Sequence, residues 1–86
     1  MSPTLVLAII VVDGFMADLK QPFTLTSVTD GNHMPGSRHY DGLAFDFRIF
    51  DLRGIVLEVL CQRIYKALAG QFDVVLEKDH IHVELK

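Results

Sequence analysis

The chain has 86 residues, of which 50% are hydrophobic and 22% charged, the balance of one small globular domain over residues 1–86 rather than of a disordered segment. The formal charge of −3, with scattered lysines and arginines, excludes the basic stripe of a nucleic-acid-binding protein. The single cysteine, Cys61, excludes an internal disulfide and a thiolate zinc cluster. Its place in an apolar helical pattern predicts a buried structural thiol.

Residues 2–19 predict a first helix, which the pair Gln21-Pro22 ends. Ser2 is a suitable N-cap, and Pro3 suits the first helical position because its missing N–H would be unpaired there in any case. The run over residues 5–12 is too short to span a bilayer, and no lysine or arginine precedes it. We therefore expect a buried helix, with no membrane span and no export signal. Its apolar face consists of Leu5, Ala8, Ile9, Val12, Phe15, Met16 and Leu19.

Two strands are predicted next along the chain. β-Branched and aromatic residues over 23–28 indicate the first strand, and the turn residues over 29–36 indicate a loop. Apolar and polar residues then alternate over 43–49, which predicts a strand with one apolar and one polar face. Asp46 lies on that polar face beside the small Ala44, which leaves room for an ion.

The rest of the chain predicts a second helix and two further strands. Asp51 is the expected N-cap of an amphipathic helix that Gly70 ends, and a strand starts at Phe72. A polar turn over 77–79 leads to a strand over 80–85. The order of elements predicts a compact α+β domain in which two helices pack on one small antiparallel sheet. In the last strand, Ile81, Val83 and Leu85 point to one face and His80, His82 and Glu84 to the other.

Three residues with metal-binding side chains are expected to converge. His39 comes just before the strand that carries Asp46, and Gly42 permits the turn between them. His82 faces the polar side of the sheet. Two neighbouring strands would bring all three side chains within about 2.0–2.2 Å of one zinc ion. Three protein ligands and one open position are typical of a catalytic zinc site, which predicts a metallohydrolase.

Two short segments of the sequence resemble the signatures of the zinc D-Ala-D-Ala carboxypeptidase family. This group includes lysostaphin-type and D-alanyl-D-alanine peptidases, phage endolysins and the hedgehog signalling domain. The first signature, SxHxxGxAxD, is matched by Ser37-x-His39-x-x-Gly42-x-Ala44-x-Asp46. The second, an acidic residue, two spacers and a histidine before an apolar residue, is similar to Asp79-His80-Ile81-His82-Val83. The resemblance covers residues 22–85.

The resemblance implies a fold like that of the hedgehog domain and the D-Ala-D-Ala peptidases. It implies that His39, Asp46 and His82 hold a zinc ion. Asp79 would be the general base that passes a proton from water to the leaving amine. Ser37 would support the site. The resemblance further implies a monomeric peptidase whose partner is the stem peptide of peptidoglycan, acting as a carboxypeptidase or an endolysin.

A second register of the same motif is open. Glu77-Lys78-Asp79-His80 is also an acid, two spacers and a histidine, and it also precedes an apolar residue. Strand alternation does not separate His80 from His82, because the two share a face. We favour His82 as the ligand, since the strand is better established there and Val83-Glu84 follows as in the family. His80 would then lie on the substrate side.

Further polar residues near the motifs are candidates for substrate contacts. His33 would line the cleft, and Arg38 and Arg48 would hold a substrate carboxylate by bidentate contacts; the alternatives are a plain loop histidine and surface arginines. Active relatives carry an arginine upstream of the first motif, and this chain has no lysine or arginine between Lys20 and Arg38. Two other interpretations therefore stay open: a zinc-stabilised binding module for cell-wall peptide or protein, and a metal-free interaction domain.

Overall fold

The computed structural model describes residues 2–30 and 43–86, which form two helices and four strands. In chain order these are α1 (Pro3–Asp18), β1 (Leu25–Asp30), β2 (Leu43–Arg48), α2 (Leu57–Ala67), β3 (Phe72–Leu76) and β4 (His80–Leu85). The predicted α+β class and the predicted order of elements are confirmed.

The four strands form one antiparallel sheet in the order β1-β2-β4-β3. The central pair joins β2 to β4, so that Asp46 lies opposite His82 although the two are 36 positions apart in the chain. Because neighbouring residues of a strand point to opposite faces, these two strands have one apolar and one polar face, as predicted.

The hydrophobic core lies between the apolar face of the sheet and both helices. Phe47, Ile81 and Val83 of the central strands are fully buried in it. Both helices therefore lie on one side of the sheet. The helix residues buried in this core are Leu5, Ala8, Val12, Met16, Leu60 and Ile64, and Leu68 at the C-cap of α2 joins them.

The opposite side of the described sheet is not covered by either helix, and we call it the helix-free face. Its central strands carry polar side chains at alternate positions. None of these is fully buried, which leaves them accessible to solvent and to ligands. The side chains concerned are Asp46, Arg48, His80, His82 and Glu84.

The first helix follows its predicted apolar pattern, with Pro3 as its first residue. Ser2 is the N-cap by position, but its side chain makes no capping hydrogen bond. The helix ends at Asp18, earlier than the predicted stop at Gln21-Pro22. Lys20 adopts a left-handed φ of 57°, which breaks the helical path before the proline is reached.

The prediction that Asp51 caps the second helix is wrong. α2 begins at Leu57, and its N-cap position is Val56. Gly54, with a left-handed φ of 67°, interrupts the chain between the aspartate and the helix. Asp51 instead accepts a hydrogen bond from Nε of Arg48, at 3.0 Å.

The first strand is shifted by two residues from the predicted range of 23–28. Pairing with β2 starts at Leu25. Phe23 lies outside the ladder and packs its ring against Phe47, with centroids 5.1 Å apart. Residues 29–30, predicted as loop, pair with β2. The rest of that predicted loop lies outside the described residues.

The first helix and Cys61 are both less buried than the sequence predicts. The first helix is buried along one face only, since Leu7 and Ile10 on its other face are 62% and 59% exposed. Cys61 is half-buried rather than fully buried, and that burial raises the pKa of its thiol, with a further contribution from Glu58. Neither helix in the described ranges has the length and apolar content needed to cross a bilayer.

Candidate metal centre

The polar side of the β2–β4 pair brings candidate residues from two distant parts of the chain together. Asp46 faces His82, and Arg48 faces His80. All four side chains point to the helix-free face, because the residues between them point into the core. The sheet register therefore decides which of the candidates meet.

Asp46 and His82 are in direct contact. Oδ1 of the carboxylate lies 2.6 Å from Nδ1 of the imidazole, and both side chains are mostly shielded from solvent, at 22% and 31% exposure. The other ring nitrogen, Nε2, lies 2.9 Å from Oε1 of Glu84. The imidazole is thus held at both edges by carboxylates, which fixes the orientation of the ring.

This environment changes the acidity of His82. The hydrogen bond with Glu84 is the largest cause that raises the pKa of His82; partial burial opposes it, and Asp46 adds to the increase. Ionised carboxylates only accept hydrogen bonds, so both contacts are hydrogen bonds when both ring nitrogens carry protons. A cation placed between Asp46 and His82 would take the role of the proton on Nδ1.

Asp79 reaches the same face through His80. In a regular strand Asp79 would point to the face opposite His82, because the two residues are three positions apart. Its Oδ1 lies 2.6 Å from Nδ1 of His80, whose side chain is on that face. The backbone of Asp79 is anchored to the end of β2, because its carbonyl accepts a hydrogen bond from the N–H of Ile49 at 3.3 Å. This contact with His80 lowers the pKa of Asp79, so the carboxylate is ionised at neutral pH.

Together these residues form what we call the acid–imidazole row: Asp79, His80, Asp46, His82 and Glu84. Carboxylates and imidazoles alternate along it. The Asp46 carboxylate lies between the two rings, with Oδ2 3.9 Å from Nε2 of His80 and Oδ1 in hydrogen-bonding contact with His82. Both histidines left open by the sequence are therefore neighbours of Asp46, and the closer of the two is His82.

A shallow pocket adjoins the end of this row. It is lined by Thr26, Arg48, Phe50, Asp79 and His80. The guanidinium of Arg48 lies 4.8 Å from the centroid of the Phe50 ring and is held by its bond to Asp51. The ring of Phe50 is 68% exposed. An arginine fixed by two neighbours is well placed to bind a group that lies beside Asp79.

Four of the predicted site residues lie outside the described residues. They are His33, Ser37, Arg38 and His39. The predicted site residues that the structure does describe are Asp46, Arg48, Asp79, His80 and His82. Within residues 2–30 and 43–86, no three histidine, cysteine, aspartate or glutamate side chains are arranged to hold a metal ion. The predicted set of three ligands includes His39.

Sequence reasoning gave no role to Glu84, which makes a direct contact with His82. A signal for this contact was present, because residues two apart in a strand share a face and the pattern already placed both side chains there. The pocket residue Thr26 was not predicted either, since its neighbourhood depends on the pairing of β1 with β2.

Comparison of the chain with protein-family models, curated proteins and solved structures finds no match.

Proposed function

We propose that this chain is a zinc-dependent peptidase that cuts D-amino-acid-containing peptides of bacterial peptidoglycan, as a carboxypeptidase or an endolysin. The proposal includes a fold of the hedgehog and D-Ala-D-Ala peptidase type. One observation supports it most: Asp46 of the first motif and His82 of the second motif contact each other at 2.6 Å across the sheet. Two motifs far apart in sequence thus supply adjoining metal-binding groups, as a shared site requires.

The donor set of the acid–imidazole row suits a zinc ion. Imidazole nitrogen and carboxylate oxygen are common zinc ligands, and Asp46 and His82 offer one of each. With both of its imidazoles neutral, the row carries three negative charges, from Asp46, Asp79 and Glu84. That excess of negative charge favours a divalent cation. His39 would be the third ligand.

Each residue of the proposed site has its own role in the reaction. His39, Asp46 and His82 would hold the zinc ion, which when bound lowers the pKa of water and polarises the peptide carbonyl. Asp79 would accept a proton from the attacking water and deliver it to the leaving amine. Its lowered pKa keeps it in the proton-accepting form at neutral pH. His80 orients that carboxylate through the contact at 2.6 Å.

The pocket beside Asp79 is the proposed place for the substrate. Arg48 would bind a carboxylate of the peptide, and the exposed ring of Phe50 would contact its apolar part. Thr26 would contribute a hydroxyl at the wall. The position of this pocket at the end of the row puts a bound peptide next to the general base.

The experiment for this proposal is digestion of purified peptidoglycan, with released peptides identified by mass spectrometry. The zinc-loaded wild type is expected to release peptides that Asp79→Asn does not release. Asp73→Asn is the matched control, since Asp73 lies opposite Glu84 on the same sheet and contacts neither motif histidine within the described residues. Zinc content is measured for all three proteins. If all three proteins contain the same amount of zinc and the wild type releases no peptide, peptidase activity is contradicted.

The second candidate function is a zinc-stabilised module that binds cell-wall peptide or a protein partner without cutting it. The absence of lysine and arginine between Lys20 and Arg38 favours it, because active members of the carboxypeptidase family that the motifs resemble carry an arginine upstream of the first motif. Co-sedimentation of the zinc-loaded wild type with peptidoglycan, without any released peptide, is the result expected for this function.

A further inference from the structure

Glu84 is placed to act on His82. It follows His82 by two positions on β4, so both side chains lie on the helix-free face. The residues opposite Glu84 are Ala44 on β2 and Asp73 on β3. Because Ala44 has only a methyl group, the longer glutamate side chain has room to lean along the strand. Its Oε1 reaches Nε2 of His82 at 2.9 Å.

The two nitrogens of His82 are therefore distinguished by their neighbours. Nε2 faces Glu84, and Nδ1 faces Asp46. An ionised carboxylate accepts hydrogen bonds and cannot donate them, so the contact with Glu84 requires a hydrogen on Nε2. A ring nitrogen that carries a hydrogen has no lone pair in the ring plane for a metal ion. In the metal-free protein the contact with Asp46 requires a hydrogen on Nδ1 in the same way, and a cation bound by Asp46 would take the place of that hydrogen. Nδ1 is then the nitrogen open to coordination, because Glu84 keeps the hydrogen on Nε2.

We propose that Glu84 is a positioning residue that keeps the hydrogen of His82 on Nε2 and presents Nδ1, beside Asp46, to a divalent cation such as zinc. This inference rests on the metal site of the proposed function and adds the residue that orients it. Carboxylates that bind the second nitrogen of a metal-binding histidine fix the ring and its tautomer, and their loss typically weakens metal binding about 10–100-fold.

Substitutions distinguish this positioning role from two other roles that a glutamate at this place could have. If Glu84 were itself a metal ligand, an amide in its place would weaken zinc binding about as much as removal of the whole side chain. If it acted only through its negative charge, removal of the charge of its neighbour Asp73 would have a similar effect. A positioning residue needs only an acceptor oxygen, which glutamine also supplies.

The first experiment measures zinc affinity by competition with a chromophoric chelator, using the full chain. Glu84→Ala is expected to lose about 10–100-fold in affinity, while Glu84→Gln keeps most of it and Asp73→Asn keeps all of it. Circular dichroism confirms that each variant is folded, which we expect because Glu84 is 47% exposed. Wild-type affinity in Glu84→Ala, or equal losses in the alanine and glutamine variants, would overturn the proposal.

The second experiment needs no variant and reads the coordinating nitrogen directly. Cadmium replaces zinc, and NMR couplings between cadmium and isotope-labelled imidazole nitrogens identify the bound atom. Coupling to Nδ1 of His82 is expected, and coupling to Nε2 would overturn the inference whether or not peptides are cut. Coupling to Nδ1 in a protein that releases no peptide would refute the peptidase function and leave the role of Glu84 intact.

Discussion

Asp46 and His82 face each other on adjacent antiparallel strands, with a carboxylate oxygen 2.6 Å from Nδ1 of the imidazole. The two residues belong to different sequence motifs. Their contact depends on the pairing of β2 with β4, the central strands of the sheet. Because this pairing is part of the folded core, a metal ion bound at the proposed site is expected to stabilise the fold.

Zinc is expected to raise the melting temperature of the wild-type protein. A ligand that binds only the folded state at 100 times its Kd contributes about 2.7 kcal/mol, which is a rise of about 10–20 °C for a domain of this size. His39→Ala and Asp46→Ala should show no such rise, since each lacks a ligand. Thermal unfolding followed by circular dichroism, with and without zinc, measures the effect. Asp73→Asn, which removes a charge from the same sheet, should respond as the wild type does. A wild type that melts at the same temperature in zinc and in chelator would contradict the proposed metal site.

The stability of the metal-free protein is expected to fall as the pH rises through and above neutrality. The folded protein raises the pKa of His82 above its usual value of 6.5, chiefly through Glu84. A group that holds its proton more tightly when folded stabilises the protein below its unfolded pKa, and this contribution is lost as the pH rises through the folded pKa. In the presence of a chelator, the melting temperature should therefore be higher below pH 6.5 than at about pH 9.

His82→Gln is the control for this pH dependence, because it removes the titrating ring and leaves Asp46 and Glu84 in place. The difference in melting temperature between wild type and variant should shrink as the pH rises. Parallel curves for wild type and variant would show that His82 is not the group responsible.

Asp79 contributes to stability in a lower pH range. Its lowered pKa gives stability that is present above pH 3.8 and is lost as the pH falls through its folded pKa.

Arg48→Met is expected to weaken the binding of peptides that carry a carboxylate next to the cleaved bond. Hydrogen bonds to charged groups are worth about 1.5–3 kcal/mol, so KM should rise about 10–100-fold while kcat changes little. The same peptide with its carboxylate converted to an amide should not distinguish the variant from the wild type. Arg63→Met is the matched control, because Arg63 lines a groove on the helix side of the sheet. An equal rise in KM for both peptides would rule out carboxylate recognition by Arg48.

Two glycine-to-alanine substitutions are expected to change stability in opposite directions. Gly14 lies inside α1 with nothing within 4 Å of an added Cβ, so alanine should stabilise the protein by about 0.5–1 kcal/mol. Gly70 has a left-handed φ of 70°, and an added Cβ would lie 3.4 Å from the Tyr65 hydroxyl. Alanine there should destabilise the protein by about 1–2 kcal/mol. Urea denaturation measures both values, and a gain in stability in both variants would contradict the assigned conformation of Gly70.

The alternation of residue types was enough to predict most elements and the faces of the central strands. Ile81 and Val83 point into the core and His82 does not, as the period of two requires. The sequence was less informative where the chain is irregular. It placed the start of the second helix at Asp51, because a capping side chain is a local signal, whereas the actual path depends on the left-handed Gly54 and on the bond of Asp51 to Arg48.

The same distinction between local and tertiary information applies to the candidate site. The amino-acid sequence alone determined which residue types are available for metal chemistry and on which side of their strands they lie, because strand alternation is a local property of the backbone. The contact of Asp46 with His82 rather than with another residue of β4 follows from the strand pairing of the folded chain, as does the contact of Glu84 with the far nitrogen of the ring. A shift of one residue in strand register would exchange the faces of the sheet, and that register is set by the packing of the whole core.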